Sequence, residues 1–247
     1  MITVAPHESA LLGSDFHLSD QEPDTAQRVL EALQEHGAQC DHLFLLGDLF
    51  EVWVGDDGAD ATARALAEVL QGLSRRDVRI WMMRGNRDFL LGEHFVHQCG
   101  ARLLDDPTLV LMHGQPVLLM HGDSLCTDDL VYQQWRSTCR HPAWQAGFLS
   151  RPLEERQLLG RQAREASEAG KRERGEGLMD VNARAVVQAL QHAGCSWLIH
   201  GHTHRPADHH WNEAGRALRR TVLSDWTAHP KRGTFLRLSH AGLEAKG

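Results

Sequence analysis

Five short segments of this 247-residue chain end in side chains of the kind that hold divalent metals. They are "SDFH" with Asp15 and His17, "GDLF" with Asp48, "GNRD" with Asn86, "HGD" with His121, and "GHTH" with His202 and His204. All seven donors are oxygen or nitrogen, and none is sulfur. One divalent ion takes roughly four to six ligands, so seven protein donors plus water suit two ions. Two ions about 3.5–4 Å apart and sharing a carboxylate form the arrangement that cleaves phosphate esters. Mixed imidazole, carboxylate and amide ligation suits Mn, Fe or Zn better than Ca or Mg alone. The densest segment, "LIHGHTHRP", places His200, His202 and His204 at alternate positions. On an extended backbone those three rings project from one face.

The elements that must position these groups are legible around them. Each donor follows a short apolar run: "ALLGSDFH", "HLFLLGD", "VRIWMMRGNRD", "PVLLMHGD" and "CSWLIHGHTH". Between the early runs, residues 23–36 and 60–76 show Ala/Leu periodicity with interspersed charges, which predicts helices. Buried strands alternating with helices predict an α/β sheet, whose ligands gather at the carboxyl ends of the strands. Gly47, Gly85, Gly122 and Gly201 lie beside the donors, where a tight turn leaves each strand. In "MDVNARAVVQALQHAG", Asp180 is the expected N-cap and Gly194 the expected C-cap of a further helix. The tail, 210–240, alternates apolar and polar residues and predicts closing antiparallel strands.

Residues 126–185 break this rhythm. They contain no apolar strand run, and Tyr132, Trp135, Trp144 and Phe148 crowd the first half while helix formers fill the second. We read them as a helical cap inserted within a single domain spanning 1–247, with residues 130–159 able to line an apolar slot. The basic residues of the segment (Arg151, Arg156, Arg161, Arg164, Lys171, Arg172 and Arg174) are partly offset by Glu154, Glu155, Glu165, Glu168 and Glu173. A solvated pair of amphipathic helices accounts for many of these charges equally well.

Composition narrows the class. A net charge of −7 gives no electrostatic reason to expect a nucleic-acid partner. Five scattered cysteines without a C-x-x-C argue against a disulfide scaffold or a zinc-thiolate site and fit a reducing compartment. The N-terminal residues lack the pattern of a signal peptide, and no run approaches the roughly 20 apolar residues of a membrane span. A soluble protein, or one lying on a membrane surface, is expected. Neither G-x-x-x-x-G-K-[ST] nor G-x-G-x-x-G occurs, which removes support for an NTPase or dinucleotide enzyme. His113, His209 and His210 are read as surface residues, and Cys126 lacks the base that a nucleophile needs.

The series of five segments resembles the calcineurin-like metallophosphoesterases, whose pattern is D-x-H, G-D, G-N-[HR]-[DE], H and G-H-x-H. The match spans residues 14–205. The resemblance implies an α/β protein of the α+β sandwich kind, with mixed β-sheets flanked by helices. It also implies that Asp15, His17, Asp48 and His204 hold one metal, and that Asp48, Asn86, His121 and His202 hold the other. Asp48 then bridges. Most members of the superfamily carry histidine where this chain has Arg87. A guanidinium holds phosphate oxygens as a fixed bidentate cation but is no proton donor. A leaving group that needs little protonation, such as a nucleotide phosphate, is therefore expected. A plain Arg87–Asp88 pair stays open as the alternative.

Further segments narrow the resemblance. "GDLFEVWVGDD", "GNRDFLLG", "HGDSLCTDD" with Tyr132, Trp135 and Arg136 after it, "MDVN" and "IHGHTHRP" are similar to the UDP-2,3-diacylglucosamine hydrolase family of Gram-negative lipid A biosynthesis. That similarity covers essentially the whole chain. It implies hydrolysis of UDP-2,3-diacylglucosamine to UMP and 2,3-diacylglucosamine 1-phosphate, water attacking the α-phosphorus, with two Mn²⁺ ions per subunit. Asn86, Arg87 and His202 would be catalytic, and Asp129, Ser167, Lys171 and Arg174 would join them in contacting substrate. The cap would take the acyl chains, and a cytoplasmic monomer would associate peripherally with the inner membrane. The stretch "AGKRERGEG" departs from the family by its richness in Arg and Gly. Two other functions compete. A soluble nucleotide phosphodiesterase has no use for an aromatic cap, and a scaffold that had lost catalysis would be expected to have lost ligands.

Overall fold

Each apolar run is continuous because its strand is buried on both faces, not one. The computed structural model describes residues 1–174 and 180–247, and the side chains of all of these except 168–174. Its strands in chain order are β1 (Ile2–Val4), β2 (Ala10–Gly13), β3 (His42–Leu46), β4 (Arg79–Met83), β5 (Ala101–Leu104), β6 (Thr108–Met112), β7 (Gln115–Met120), β8 (Trp197–His200), β9 (Ala207–Glu213), β10 (Arg216–Val222), β11 (Phe235–Ser239) and β12 (Gly242–Lys246). One six-stranded sheet has the order β12-β11-β2-β3-β4-β5, and the other β1-β6-β7-β8-β10-β9. Along β3, Leu43 and Leu45 face helices while Phe44 and Leu46 face the opposite sheet. Such two-sided burial produces unbroken apolar runs.

The layer between the sheets draws Leu12, Phe44, Leu46 and Met83 from one and Val110, Val117, Leu119 and Ile199 from the other. Truncating fully buried Phe44 to Ala would cost about 3–5 kcal/mol and loosen both sheets. Helices α1 (Pro23–Gly37), α2 (Ala61–Ser74) and α3 (Glu93–Gln98) connect the parallel strands β2 to β5. They cover the outer face of that sheet through Val29, Leu33, Leu66, Leu70 and Phe95. Pro23 opens α1, where its missing N–H is harmless. Asp60 caps α2 by accepting from Ala63 N at 2.7 Å. The order helix, sheet, sheet, helix is the α/β sandwich expected.

Among the described residues, three helices lie in the predicted cap: α4 (Leu130–Cys139), α5 (Pro142–Leu149) and α6 (Leu153–Arg174). Arg156 pins α6 to the core, donating to Val54 O at 2.6 Å and to Asp57 Oδ1 at 2.9 Å. Helix α7 (Ala183–His192) belongs to the core instead, burying Val186 and Leu190 against Leu118 and Leu198.

Two expectations need correction. The N-cap of α7 is Asn182, whose side chain accepts from Arg184 N at 2.9 Å and Ala185 N at 3.1 Å. Asp180 is engaged by Arg220 at 3.2 Å, a residue too distant in sequence to foresee. Gly194 does follow the helix in the left-handed region, at φ +65. The tail is also more than an antiparallel closure. β9 and β10 form an antiparallel hairpin, but β10 runs parallel beside β8, and β11–β12 cross to the other sheet.

Candidate metal centre

Parallel register brings the strand ends together before any side chain is considered. Gly13 pairs with Leu45, Leu46 with Met83, and Met120 with His200. Asp15, Asp48, Asn86, His121 and His202 therefore emerge within one to three residues of neighbouring strand ends. The loops are then laced: Asp15 N donates to Gly47 O at 3.0 Å, His17 N to Asp48 O at 3.0 Å, and Gly201 N to His121 O at 2.9 Å. Eight described non-glycine residues have positive φ, and five of them are Asp15, His17, Asp48, His202 and His204. That region costs an L-residue roughly 1–2 kcal/mol and is a mark of functional strain. Close approach explains two of the flanking glycines: a Cβ on Gly85 would strike the Asp48 backbone and carboxylate, and one on Gly201 the carboxylate of Asp15.

The left-handed turns overturn one expectation. The strand ends at His200, so His200, His202 and His204 do not share a face of an extended segment. His200 turns inward, fully buried, with Nδ1 2.8 Å from Gly201 O, and burial pushes its pKa down to about 3. His202 and His204 go to two different groups of side chains.

Asp15, His17 and His204 form one group able to hold a metal ion, and Asp48, His121 and His202 form another. In the first, Nε2 of His17 and Nε2 of His204 face each other at 3.2 Å, and Asp15 Oδ1 lies 3.6 Å from His204 Nε2. In the second, Nε2 of His121 lies 3.0 Å from Asn86 Oδ1 and 3.5 Å from Asp48 Oδ1. The other Asp48 oxygen reaches toward the first group, 3.9 Å from His17 Nε2. Asp48 therefore stands between the two.

The outward-facing ring nitrogens test whether this set fits a cation. His121 Nδ1 lies 2.9 Å from Leu46 O, His17 Nδ1 2.9 Å from Glu51 Oε2, and His204 Nδ1 3.5 Å from Asp225 Oδ2. Oxygens beside Nδ1 favour a ring proton there, so that Nε2 turns inward and offers its lone pair to a cation once it carries no proton of its own. Two such lone pairs at 3.2 Å repel each other unless a cation lies between them. The second group shows the same demand. Burial opposes a charge on His121, but Asp48, Asp123 and Asp15 outweigh it and push its pKa up to about 9. Burial, with His121 alongside, pushes His202 down to about 4. Burial likewise opposes ionisation of Asp15, yet His204 beside it and the neighbouring imidazoles hold its carboxyl well below the usual range. The donor set fits divalent cations.

Several residues around the centre escaped sequence reading. Asp88 is fully buried and accepts from Gly85 N at 2.6 Å, Leu49 N at 2.7 Å and Asp48 N at 3.3 Å. It buttresses the loops through their backbone, which replaces the simple Arg87–Asp88 pair considered above. Asp123 is equally buried and gathers Tyr132 Oη, Arg136 Nε at 2.8 Å and Arg140 Nη2 at 3.5 Å. Arg140 also donates to Gly85 O at 2.9 Å, and the Tyr132 ring stacks 6.2 Å from that of His202. Glu51 and Asp225 were missed because each is defined by a distant contact. The only local hint was an acidic residue shortly after "GDLF" and within "SDW".

Above both groups lies a cavity of about 910 Å³. His17, Asp48, Asn86, Arg87, His202 and His204 form its polar end, and Tyr132, Trp135, Trp144, Phe148 and Leu159 its apolar walls. Trp144 stacks on Phe148 at 5.2 Å and meets Trp135 edge-on at 5.4 Å. Arg87 is held by its backbone N–H, which donates to Asp48 Oδ1 at 2.8 Å. Asp129 and Ser167 also line the cavity, and Asp129 additionally caps α4 by accepting from Tyr132 N at 3.0 Å. The side chains of Lys171 and Arg174 lie outside the described residues. Cys126 reaches the cavity wall, but burial pushes its thiol up to about 12, which rules out a ready thiolate. His209 and His210 are exposed as expected, whereas His113 is half-buried and bonded to Glu8 O at 2.7 Å.

Comparison with known proteins agrees with this geometry. The family model described as calcineurin-like phosphoesterase matches residues 11–206. UDP-2,3-diacylglucosamine hydrolase of Stenotrophomonas maltophilia is 44% identical, covering 95% of this chain and 96% of that protein. The protein of the same name from Chromobacterium violaceum is 45% identical, with 94% and 95% covered. That from Aromatoleum aromaticum is 46% identical over 88% and 89%.

Proposed function

The chain belongs to the calcineurin-like phosphoesterases, and within them to the UDP-2,3-diacylglucosamine hydrolases, and from that premise we propose how its residues divide the work. It is a metal-dependent hydrolase of UDP-2,3-diacylglucosamine in lipid A biosynthesis. Water attacks the α-phosphorus, giving UMP and 2,3-diacylglucosamine 1-phosphate. The observation that carries this reading is a single cavity with two opposed chemistries. Its floor gathers two Asp/His groups about a shared Asp48, and its walls are aromatic and aliphatic. A substrate that is a pyrophosphate at one end and a pair of acyl chains at the other matches both.

Asp15, His17, Asp48 and His204 would hold one Mn²⁺, and Asp48, Asn86, His121 and His202 the other. When bound, the ions supply Lewis acidity and compensate charge at the phosphate. Arg87 holds phosphate oxygens with its planar guanidinium. Asn86 and His202 face the phosphate beside it, His202 steadied by the Tyr132 ring. Asp129, Ser167, Lys171 and Arg174 contact the rest of the substrate from the cap, the insertion within 126–185.

We place the enzyme, as a monomer, at the cytoplasmic face of the inner membrane. Among the described residues no helix is long and apolar enough to cross a membrane. Val131 and Trp135 line the cavity and are also exposed, and Leu130 beside them is 76% exposed, which supports a cap that meets lipid where acyl chains enter. One assay tests the function. UDP-2,3-diacylglucosamine should be hydrolysed in a metal-dependent manner, and its deacylated analogue far more slowly. Equal turnover of both would remove the lipid from the reading and leave a nucleotide pyrophosphatase.

A further inference from the structure

We infer that Glu51 is a positioning residue that couples the cap helix α6 to the group Asp15, His17 and His204, an inference that rests on reading that group as a divalent-ion site. Its carboxylate has two occupied sides. Oε2 lies 2.9 Å from His17 Nδ1, and Oε1 is ion-paired with Arg164 of α6. Both residues are mostly shielded, Glu51 being 19% and Arg164 29% exposed in their side chains.

The backbone around Glu51 explains why the side chain carries the coupling. Glu51 N donates to Leu18 O at 3.0 Å, Leu18 N to Leu49 O at 2.9 Å, and His17 N to Asp48 O at 3.0 Å. Those three bonds lock the main chains of His17 and Glu51 together within the core. What remains adjustable is the carboxylate rotamer, and Arg164 holds it from the cap. With Oε1 drawn to Arg164, Oε2 is presented to His17 Nδ1. That keeps the ring proton on Nδ1 and the lone pair of Nε2 aimed at His204 Nε2, 3.2 Å away.

The other acceptors are arranged differently. His121 Nδ1 faces the carbonyl of Leu46, part of a central strand, and His204 Nδ1 faces Asp225, which is paired with Arg232, outside the cap. Glu51 is the acceptor whose orientation depends on where the cap sits. Coupling of this kind is reciprocal: a seated cap raises the metal affinity of the first group, and a filled group holds the cap down.

The experiment measures Mn²⁺ binding by electron paramagnetic resonance of free Mn²⁺, and hydrogen exchange of residues 153–167, in apo and Mn²⁺-loaded protein. In the wild type, two ions should bind and loading should slow exchange in α6. Glu51→Ala should weaken one of the two ions about 10–100-fold, the usual scale for losing a partner of a ligating histidine. Glu51→Gln should fall between, since its amide oxygen still accepts from Nδ1 but holds Arg164 less firmly. Arg164→Gln leaves the Glu51–His17 contact in place and so guards against a folding failure. It should weaken the same ion several-fold and abolish the Mn²⁺-dependent slowing in α6. Wild-type affinity for both ions in Glu51→Ala and Arg164→Gln, beside a wild type that binds two, overturns the coupling alone. A wild type that binds fewer than two ions overturns the two-ion reading beneath it.

Discussion

The main-chain N–H of Arg87 donates to Oδ1 of Asp48 at 2.8 Å, so the carboxylate standing between the two candidate metal groups also sets where the guanidinium starts. Asp48→Ala should therefore lose more than any other single ligand change, removing both ions and turnover together. Equilibrium dialysis against Mn²⁺ would measure it. Two equivalents still bound, with normal turnover, would show that Asp48 is no bridge. Asp48→Asn, which keeps the acceptor for Arg87 N, should retain the fold and still bind metal poorly.

Arg87 is expected to stabilise charge on the phosphate without moving protons. Arg87→Ala should lower kcat roughly 10²–10³-fold, the scale of one lost transition-state donor, with metal content unchanged. Arg87→Lys should recover part of that loss, because an ammonium restores charge but not the planar fork. Loss of metal alongside activity would instead make Arg87 a support for the loop it shares with Asn86.

Metal binding should release protons. His121 is pushed up to about 9, so it carries a proton in the apoprotein at pH 7.5, and a ligand must shed it. Apparent Mn²⁺ affinity should rise with pH, by up to about tenfold per unit, and level off above roughly 9. Calorimetry in buffers of different ionisation enthalpy counts the protons, and zero release at pH 7.5 would contradict the assignment. Activity lost to chelator should return with Mn²⁺ better than with Mg²⁺, a poor partner for imidazole.

The candidate metal groups were legible because a strand end is a local event: an apolar run stops, and Asp15, Asp48, Asn86 or His121 follows within three residues. What could not be read was what the strands do with one another. A run buried on both faces looks the same in one sheet or two, so the sandwich came from resemblance and not from periodicity. The turn at His202 and His204 was misread because left-handed histidines carry no glycine signal. Asp180 gave way to Asn182 as the α7 cap because Arg220, far along the chain, claims its carboxylate. The roles of Glu51, Asp88 and Asp123 were hidden for the same reason: their partners are brought to them by the fold.

The aromatic cap should act on the lipid and leave the phosphate chemistry untouched. Trp144 packs against Trp135, Phe148 and Phe89 along the apolar wall. Trp144→Ala should raise KM for the diacylated substrate at least several-fold while leaving the slow hydrolysis of the deacylated analogue unchanged. A parallel loss on both substrates would mean that Trp144 supports the cap's fold and not its acyl slot.

Asp106 offers a test of buried charge near the same centre. Its side chain is 6% exposed, neither oxygen has a hydrogen-bond partner among the described residues, and Arg136 stands 4.0 Å away. Burial, with Asp123 nearby, pushes its pKa up to about 6 from an ordinary 3.8. For an acid the sign is clear. Between about pH 4 and 6 the folded state holds a proton that the unfolded state has released, so stability falls as pH rises through that window. Above it, folding bears the full penalty of an ionised carboxylate. A shift of about two units corresponds to roughly 3 kcal/mol at most. Asp106→Asn removes the charge while keeping the shape, so it should raise Tm at pH 7.5 by an amount worth about 1–3 kcal/mol. That advantage should shrink steadily toward pH 4, where wild-type Asp106 is itself neutral. Thermal melts at pH 4, 6 and 7.5 decide it. A variant less stable than the wild type at pH 7.5 would show that the Arg136 contact outweighs the desolvation of Asp106.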